Sequence, residues 1–387
     1  MFSRRRDAPK QPVCFFMSIT DYNISLINKK ILVIKLLYIG DTLSVNSFVK
    51  NLRKNSPSSV VDVMVNKDSE GLLAHNPFIR KVWKYDRGLV KSGLFSSLRY
   101  HLRLIREMRK EAYDIVISLS HGDRSFFLSF ISGSPMRVTN YGSSRLVKLL
   151  MNHIYHVKHY KRLHFIEYDH QLLWLFGIKP FDIEMQIHIP ESVNAMMVNR
   201  LESAGIVGRF PKVVIHPGAR KKMRQWKLDR FAEIAHRLRQ KYHAFIILVG
   251  APDEESLVKS VEEHMGFQAS YKSNALSLLE MAALFSCCNL FIGNDSGPGH
   301  IAAAVDCSTL TLFGPNFPDS CRPFTPAGEV IFKNLPCCGC RHEESLCVSP
   351  QQTCMDLIEV EEVWEKVEEL LIKSGFSGHN SYSERLK

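Results

Sequence analysis

The chain has 387 residues, of which 45% are hydrophobic and 23% charged, so at about 150 residues per domain it is long enough for two or three domains. This composition excludes a wholly disordered, collagen-like or coiled-coil protein, and no stretch approaches the ~18 uninterrupted apolar residues of a membrane-spanning helix. The 50 Lys+Arg exceed the 39 Asp+Glu, and the excess is local: residues 1–200 carry 30 basic against 16 acidic side chains, residues 201–387 carry 20 against 23. Nucleic acid, an anionic membrane or a phosphorylated substrate would each match a basic first half.

Residues 1–28 read as a flexible leader. Arg4, Arg5 and Arg6 precede only a short apolar run at 13–17, with no small-residue cleavage site, so no secretory signal is read, and Met17 is an alternative start. Residues 31–37 form an apolar run broken by one lysine, Lys35, the pattern of a buried parallel strand. A turn at 38–41 precedes a helix over 42–54. Strands follow at 60–65, 79–83 and 114–119, with a basic helix at 94–110. The alternation lapses over 139–181, which reads as helical and rich in His and Tyr. Residues 179–190 read as a linker and 192–204 as the helix leading onward. Strands at 212–216, 244–250, 289–292 and 308–313 then alternate with helices at 228–241, from about 253, at 276–287 and from about 298. A Cys-rich loop and a helix at 357–372 end the pattern. Strand-helix alternation predicts an α/β fold of two doubly wound domains, here 29–180 and 181–373 with a tail at 374–387, and a ligand cleft between them.

G-x-G-x-x-G, G-x-x-x-x-G-K-[ST], H-E-x-x-H, G-x-S-x-G and D-x-D are all absent, which argues against a standard dehydrogenase, a P-loop NTPase, a zincin and an α/β-hydrolase. Three segments remain, each after a strand, where α/β folds place ligands. In the first, Gly40-Asp41, the carboxylate is either a helix N-cap or a base for a substrate hydroxyl, and the two roles are compatible. The second is His216-Pro217-Gly218-Ala219, followed by Arg220, Lys221, Lys222, Arg224 and Trp226: a phosphate-binding set or a solvated basic loop. The third is Gly293-Asn294-Asp295-Ser296-Gly297-Pro298-Gly299-His300, small residues before a helix, suited to close approach of a pyrophosphate or to a tight turn. Asp253 and Glu254 are candidates for sugar hydroxyls or for complementing the helix start.

Taken in order, these motifs, with Phe313-Gly314-Pro315, resemble glycosyltransferase family 9, the heptosyltransferases of lipopolysaccharide core synthesis, over roughly residues 30–373. Asp114 with Gly122-Asp123-Arg124 is similar to its heptosyltransferase III subgroup. The resemblance implies a GT-B architecture of two Rossmann-like domains, an acceptor domain and a nucleotide-sugar donor domain, facing across a cleft. It implies an ADP-heptose donor, inverting transfer without a metal or other cofactor, and Asp41 as general base. Asp295 would contact the donor and the backbone of Ser296, Gly297 and Gly299, with His300, would hold the diphosphate. Arg224 or Lys222 would neutralise it, since Arg224 stands where the family often has lysine, and Glu254 would face the donor. Gly40, His216 and Gly218 would support these groups. Another GT-B-like enzyme with a different donor, or an epimerase, is the alternative, and a non-enzymatic polyanion binder the weakest reading. The implied partners are a phosphorylated lipid A-core acceptor and an anionic membrane surface, with no nucleic acid, and the implied location is cytoplasmic, peripheral on the inner membrane.

Five of ten cysteines fall between Cys337 and Cys354. Cys337, Cys340, Cys347 and Cys354 supply four sulfurs for a structural zinc, but two six-residue spacers are unlike paired C-x₂-C units, so reduced thiols are the leading expectation.

Overall fold

A computed structural model describes residues 24–376 apart from 92, 143, 156, 158–162, 182, 209, 341–346 and 348–351. Most of the expected leader, most of the tail and most of the Cys-rich loop lie outside the described residues. The last leader residues pack against the fold: Leu26 is buried against the first sheet.

The first sheet holds β1 (Lys30–Lys35), β2 (Val60–Asn66), β3 (Lys81–Tyr85), β4 (Ile115–Ser118), β5 (Met136–Thr139) and β6 (His153–Ile154), all parallel, in the order β3-β2-β1-β4-β5-β6. Its helices are α1 (Ile39–Asn55), α2 (Arg87–Lys91), α3 (Leu94–Glu111), α4 (Asp123–Ile131), α5 (Arg145–Leu150) and α6 (Phe165–His170). The second half begins with α7 (Glu191–Ser203). Its sheet holds β7 (Lys212–His216), β8 (Phe245–Val249), β9 (Tyr271–Ser273), β10 (Leu290–Asn294), β11 (Ser308–Phe313) and β12 (Gly328–Phe332), again all parallel, ordered β12-β11-β10-β7-β8-β9. Helices α8 (Leu228–Tyr242), α9 (Glu255–Met265), α10 (Leu278–Ser286), α11 (Gly297–Ala303), α12 (Pro318–Cys321) and α13 (Val360–Lys373) complete it.

Both sheets therefore share one doubly wound order, and each has a switch point, between β1 and β4 and between β7 and β10. Loops at the carboxyl ends of these strands diverge and leave a crevice. The central strands are mostly apolar because both faces are covered, with buried Lys35 in β1 and Asp62 in β2 as polar exceptions. In β1, Ile31 and Val33 enter one core and Leu32 and Ile34 the other. In β7, Val213 and Ile215 point to one side and Val214 to the other. The cluster around Val214 and Phe291 also contains Leu43, Leu72 and Ile166 of the first half, so one apolar core joins the two halves. The linker helps: Asn46 donates to the Gln186 carbonyl, and the Ile187 N–H to Ala304.

Two readings need correction. Helix α1 starts at Ile39, so Gly40 lies in its first turn and Asp41 is its third residue, not its N-cap; the Asp41 carboxylate instead accepts the Tyr38 N–H at 3.3 Å. The region 139–181 is not purely helical. It contains β6 and follows β5, both too short to show as apolar runs.

Candidate active site

At the first switch point, Lys35 ends β1 with its side chain fully buried. A bare ammonium there would be untenable. Its Nζ lies 2.7 Å from Asp169 Oδ2, and Asp169 is fully buried too. Ser44 donates to the same oxygen at 2.6 Å, and the Tyr141 hydroxyl to Oδ1 at 2.9 Å. Both carboxylate oxygens thus accept hydrogen bonds, which is what makes a buried pair tolerable. Asp41 stands beside this pair. Burial pushes its carboxyl above the usual range; Lys35 pulls it back and Asp169 pushes it up again, with His121 lowering it slightly. The His121 ring sits 5.7 Å from that of Tyr141. Lys35, Asp169, Ser44, Tyr141 and His121 were not singled out from sequence. The available signal was a lone lysine in an otherwise apolar strand.

At the second switch point Asn294 ties two loops together. Its Oδ1 accepts the Trp226 N–H at 3.0 Å, and its Nδ2 donates to the Pro217 carbonyl at 2.8 Å. Trp226 is buried and donates its indole N–H to Ile358, so the basic loop is held at both ends. His216 Nε2 lies 3.1 Å from Glu254 Oε2, which also accepts the Ala251 N–H. The side-chain bond to His216 outweighs burial and lowers the Glu254 carboxyl pKa. Gly218 leaves room for this carboxylate: a Cβ would fall 2.1 Å from Glu254 Oε1, so a side chain there would move Glu254. Arg224 Nη1 meets Asp295 Oδ2 at 3.2 Å, and Asn316 donates to the same oxygen. Burial still raises the Asp295 pKa against both partners. Arg224 is thus the cation engaged with the loop, whereas Lys222 is exposed on the turn Lys222–Arg224.

The rest of the third motif does something else. A Cβ on Gly297 would meet Ile39 at 3.1 Å, and one on Gly40 would lie 2.6 Å from His300 Cδ2. His300 is buried between Gly40 and Phe165 and stays neutral, its pKa pushed down to about 3. Gly299 sits against Pro323, Phe291 and Thr311. Gly297 and His300 thus form the contact between the starts of α1 and α11, and Asn294, Asp295 and Ser296 are the residues of this motif in polar contact with the other site groups. Ser296 Oγ is 3.5 Å from His216 Nδ1. The contact brings the two switch points together. Arg220 lies over the Tyr38 ring at 4.9 Å, and the Cys321 thiol, pushed up to about 12 chiefly by burial, senses both Asp295 and Asp41.

Among the described residues, no three His, Cys, Asp or Glu side chains group to hold a metal. The Cys354 thiol is raised to about 11 by burial first, then by Cys338 and Cys340. An open groove of about 640 Å³ on α7, lined by Ser192, Met196, Arg200 and Tyr271, includes none of the site residues.

A family model described as Glycosyltransferase family 9 (heptosyltransferase) matches residues 101–348; Asp41 lies before the matched segment. Lipopolysaccharide heptosyltransferase 3 of Escherichia coli K12 is 27% identical over 291 residues, 74% of this chain and 83% of that protein. Lipooligosaccharide heptosyltransferase 2 of Haemophilus influenzae is 26% identical over 78% of this chain and 88% of its own. The crystal structure of a family 9 glycosyltransferase from Veillonella parvula superposes with a TM-score of 0.79 at 23% identity, covering 91% of this chain and 99% of that one. E. coli heptosyltransferase WaaC with ADP superposes at 0.70 and 18% identity over 88% and 99%. These likenesses show the GT-B fold, and the matched family segment spans well over half of the sequence. The chain belongs to glycosyltransferase family 9, the heptosyltransferases.

Proposed function

We propose that the protein moves a heptose from ADP-heptose to the inner core of lipopolysaccharide, by a single inverting displacement that uses no metal. The observation that carries this is the apposition of Asp41, beside the Lys35–Asp169 pair, and Asp295, beside Arg224, across one contact between the two switch points. The relatives named above act on lipopolysaccharide or lipooligosaccharide, and WaaC binds ADP, which supports donor and acceptor class.

In this reading Asp41 accepts the proton of an acceptor hydroxyl as its oxygen attacks the anomeric carbon. The bond from that carbon to the diphosphate oxygen breaks, ADP departs with the electron pair, and attack from the opposite side inverts the centre. Charge developing on the diphosphate meets Arg224, with Lys222 close in sequence, and the backbone N–H groups of Ser296, Gly297 and Gly299. Glu254, oriented by His216, faces the donor and accepts from its hydroxyls. Residues 29–180 would form the acceptor half and 181–373 the donor half. Closure of the halves would exclude the water that would hydrolyse the donor. The acceptor would be the phosphorylated lipid A-core on the cytoplasmic leaflet, with the enzyme peripheral there. No helix among the described residues is long and apolar enough to cross a membrane.

Calorimetric titration with ADP, UDP and GDP tests the donor; binding of UDP alone would overturn it. Asp41→Asn should keep ADP binding and lose turnover by about three orders of magnitude or more. Mass spectrometry of core oligosaccharide from a deletion strain should show one heptose missing.

A further inference from the structure

The helical layer formed by α3, α4 and α5 is apolar and cationic on its outer side. Helices α3 and α4 share the core over Leu32 and Ile34 through Leu104, Met108, Leu128 and Ile131. Helix α5 joins α4 through Val147, Leu150 and Phe126. The three therefore cover the same face of the first sheet. Neither apolar cluster of the second sheet includes a residue of this layer.

The outer side of this layer is not the polar surface a buried-inside, solvated-outside helix should show. Phe95 is 87% exposed, and Leu98 and Leu102 continue its stripe at helical spacing on α3. Phe127 on α4 and Leu146 and Leu149 on α5 are also exposed, Leu149 at 72%. Of sixteen exposed large hydrophobics among the described residues, eight lie between Leu89 and Leu149. That concentration marks a contact surface rather than scattered surface leucines. The same span, residues 87–150, holds 11 Lys+Arg against 4 Asp+Glu. Arg99, Arg103 and Arg106 alternate with the apolar stripe of α3, and Arg145 and Lys148 with that of α5, all exposed.

We propose that the outer side of α3, α4 and α5 is a docking face for an anionic lipid bilayer, with Phe95, Leu98, Leu102 and Leu149 entering the headgroup boundary and the interleaved arginines meeting lipid phosphates. Apolar side chains alone would suit a protein partner; interleaved with a net positive charge, they suit an interface that is apolar below and anionic above. The face also stands next to the site. Helix α4 starts at Asp123, two residues after His121, which acts on Asp41. A glycan anchored in the docked bilayer would thus emerge near the first switch point.

The inference rests on a lipid-anchored acceptor for its purpose, but its test uses lipid alone and reads ADP binding separately, so either reading can fail without the other. The full chain is sedimented with vesicles of phosphatidylethanolamine and phosphatidylglycerol, and with pure phosphatidylcholine. Binding is expected only to the anionic vesicles and should fall with salt. Each cation near an anionic surface contributes on the order of fivefold, so Arg99→Glu/Arg103→Glu/Arg106→Glu should weaken partitioning about a hundredfold or more. Leu98→Ser/Leu102→Ser/Leu149→Ser should weaken it on the order of tenfold or more. Both variants should bind ADP like the wild type, which also shows that they fold. Failure to sediment with anionic vesicles, or equal binding to phosphatidylcholine at high salt, overturns the proposal. So does a wild-type dimer in sedimentation velocity that the leucine variant converts to monomer, since the face would then pair with a second copy.

Discussion

Lys35 offers the sharpest test of how the first switch point works. Lys35→Met keeps the length of the side chain and removes its charge. The buried Asp169 carboxylate is then left without its cation. Removing one partner of a buried pair costs about 3–5 kcal/mol. Ser44 and Tyr141 still donate to Asp169, so the lower end, about 3 kcal/mol, is expected, lowering the melting temperature by about 6–12 °C at 2–4 °C per kcal/mol. The second consequence is catalytic. Lys35 is the strongest influence holding Asp41 down against burial, and Asp169 pushes it up by less. Losing Lys35 raises the Asp41 pKa further, so the acid limb of kcat/KM must move to higher pH. Asp169→Asn should move it to lower pH. Lys35→Met/Asp169→Leu orphans no charge and should recover much of the stability, while its acid limb stays above wild type but below that of Lys35→Met. ADP release measured across pH, with thermal denaturation of the same samples, separates the two effects. An acid limb that ignores all three variants would refute the claim that this pair sets the charge of Asp41.

Gly40→Ala should force apart the starts of α1 and α11, because its Cβ would lie 2.6 Å from His300. A 1 Å misplacement is enough for about a hundredfold loss of turnover, and Gly40→Ala/His300→Ala should restore part of it if the clash is the cause. His300 and His164 are held neutral by burial, at about 3 and about 4, whereas imidazoles of the unfolded chain protonate below 6.5. The unfolded state then binds more protons, so stability falls as pH drops, by up to about 2.7 kcal/mol per unit between pH 6 and 4. Urea unfolding of His164→Gln/His300→Gln should show a flatter slope over that window. Gly218→Ala should displace Glu254 and weaken ADP binding about 10–100-fold, the worth of a hydrogen bond to a charged group; unchanged affinity by calorimetry would remove Glu254 from the donor site.

The parts of the fold that were legible are those where local pattern and tertiary demand agree. β1 and β7 read as strands because sheets covered on both faces need apolar runs, and β11 because its threonines and leucines alternate up to Phe313. The three candidate segments read as sites because they follow such strands. What stayed hidden was short or long-range. β6 is two residues, and β9 is a three-residue strand at a sheet edge with little apolar signature. The early start of α1 was obscured by Ile39-Gly40, which looks like a turn until His300 is seen to require a glycine there. The Lys35–Asp169 pair spans 134 residues, and no local spacing announces it. The role of Gly297 as an interdomain contact was likewise beyond sequence, since its partner, Ile39, belongs to the other half.

The charge asymmetry of the sequence now divides into two parts with different physics. The cations proposed to act on chemistry are few and held: Lys35 is fully buried and Arg224 is tied to Asp295. Their fields act at short range in a poorly hydrated cleft, where each is worth most. The arginines of α3 and Arg145 of α5 are exposed and screened within about a Debye length. They contribute little to stability and cannot reach the site through the sheet. A surface charge that neither folds the chain nor touches the reaction still acts on whatever comes within that length. The exposed leucines and phenylalanines among these arginines narrow that to a surface both anionic and apolar.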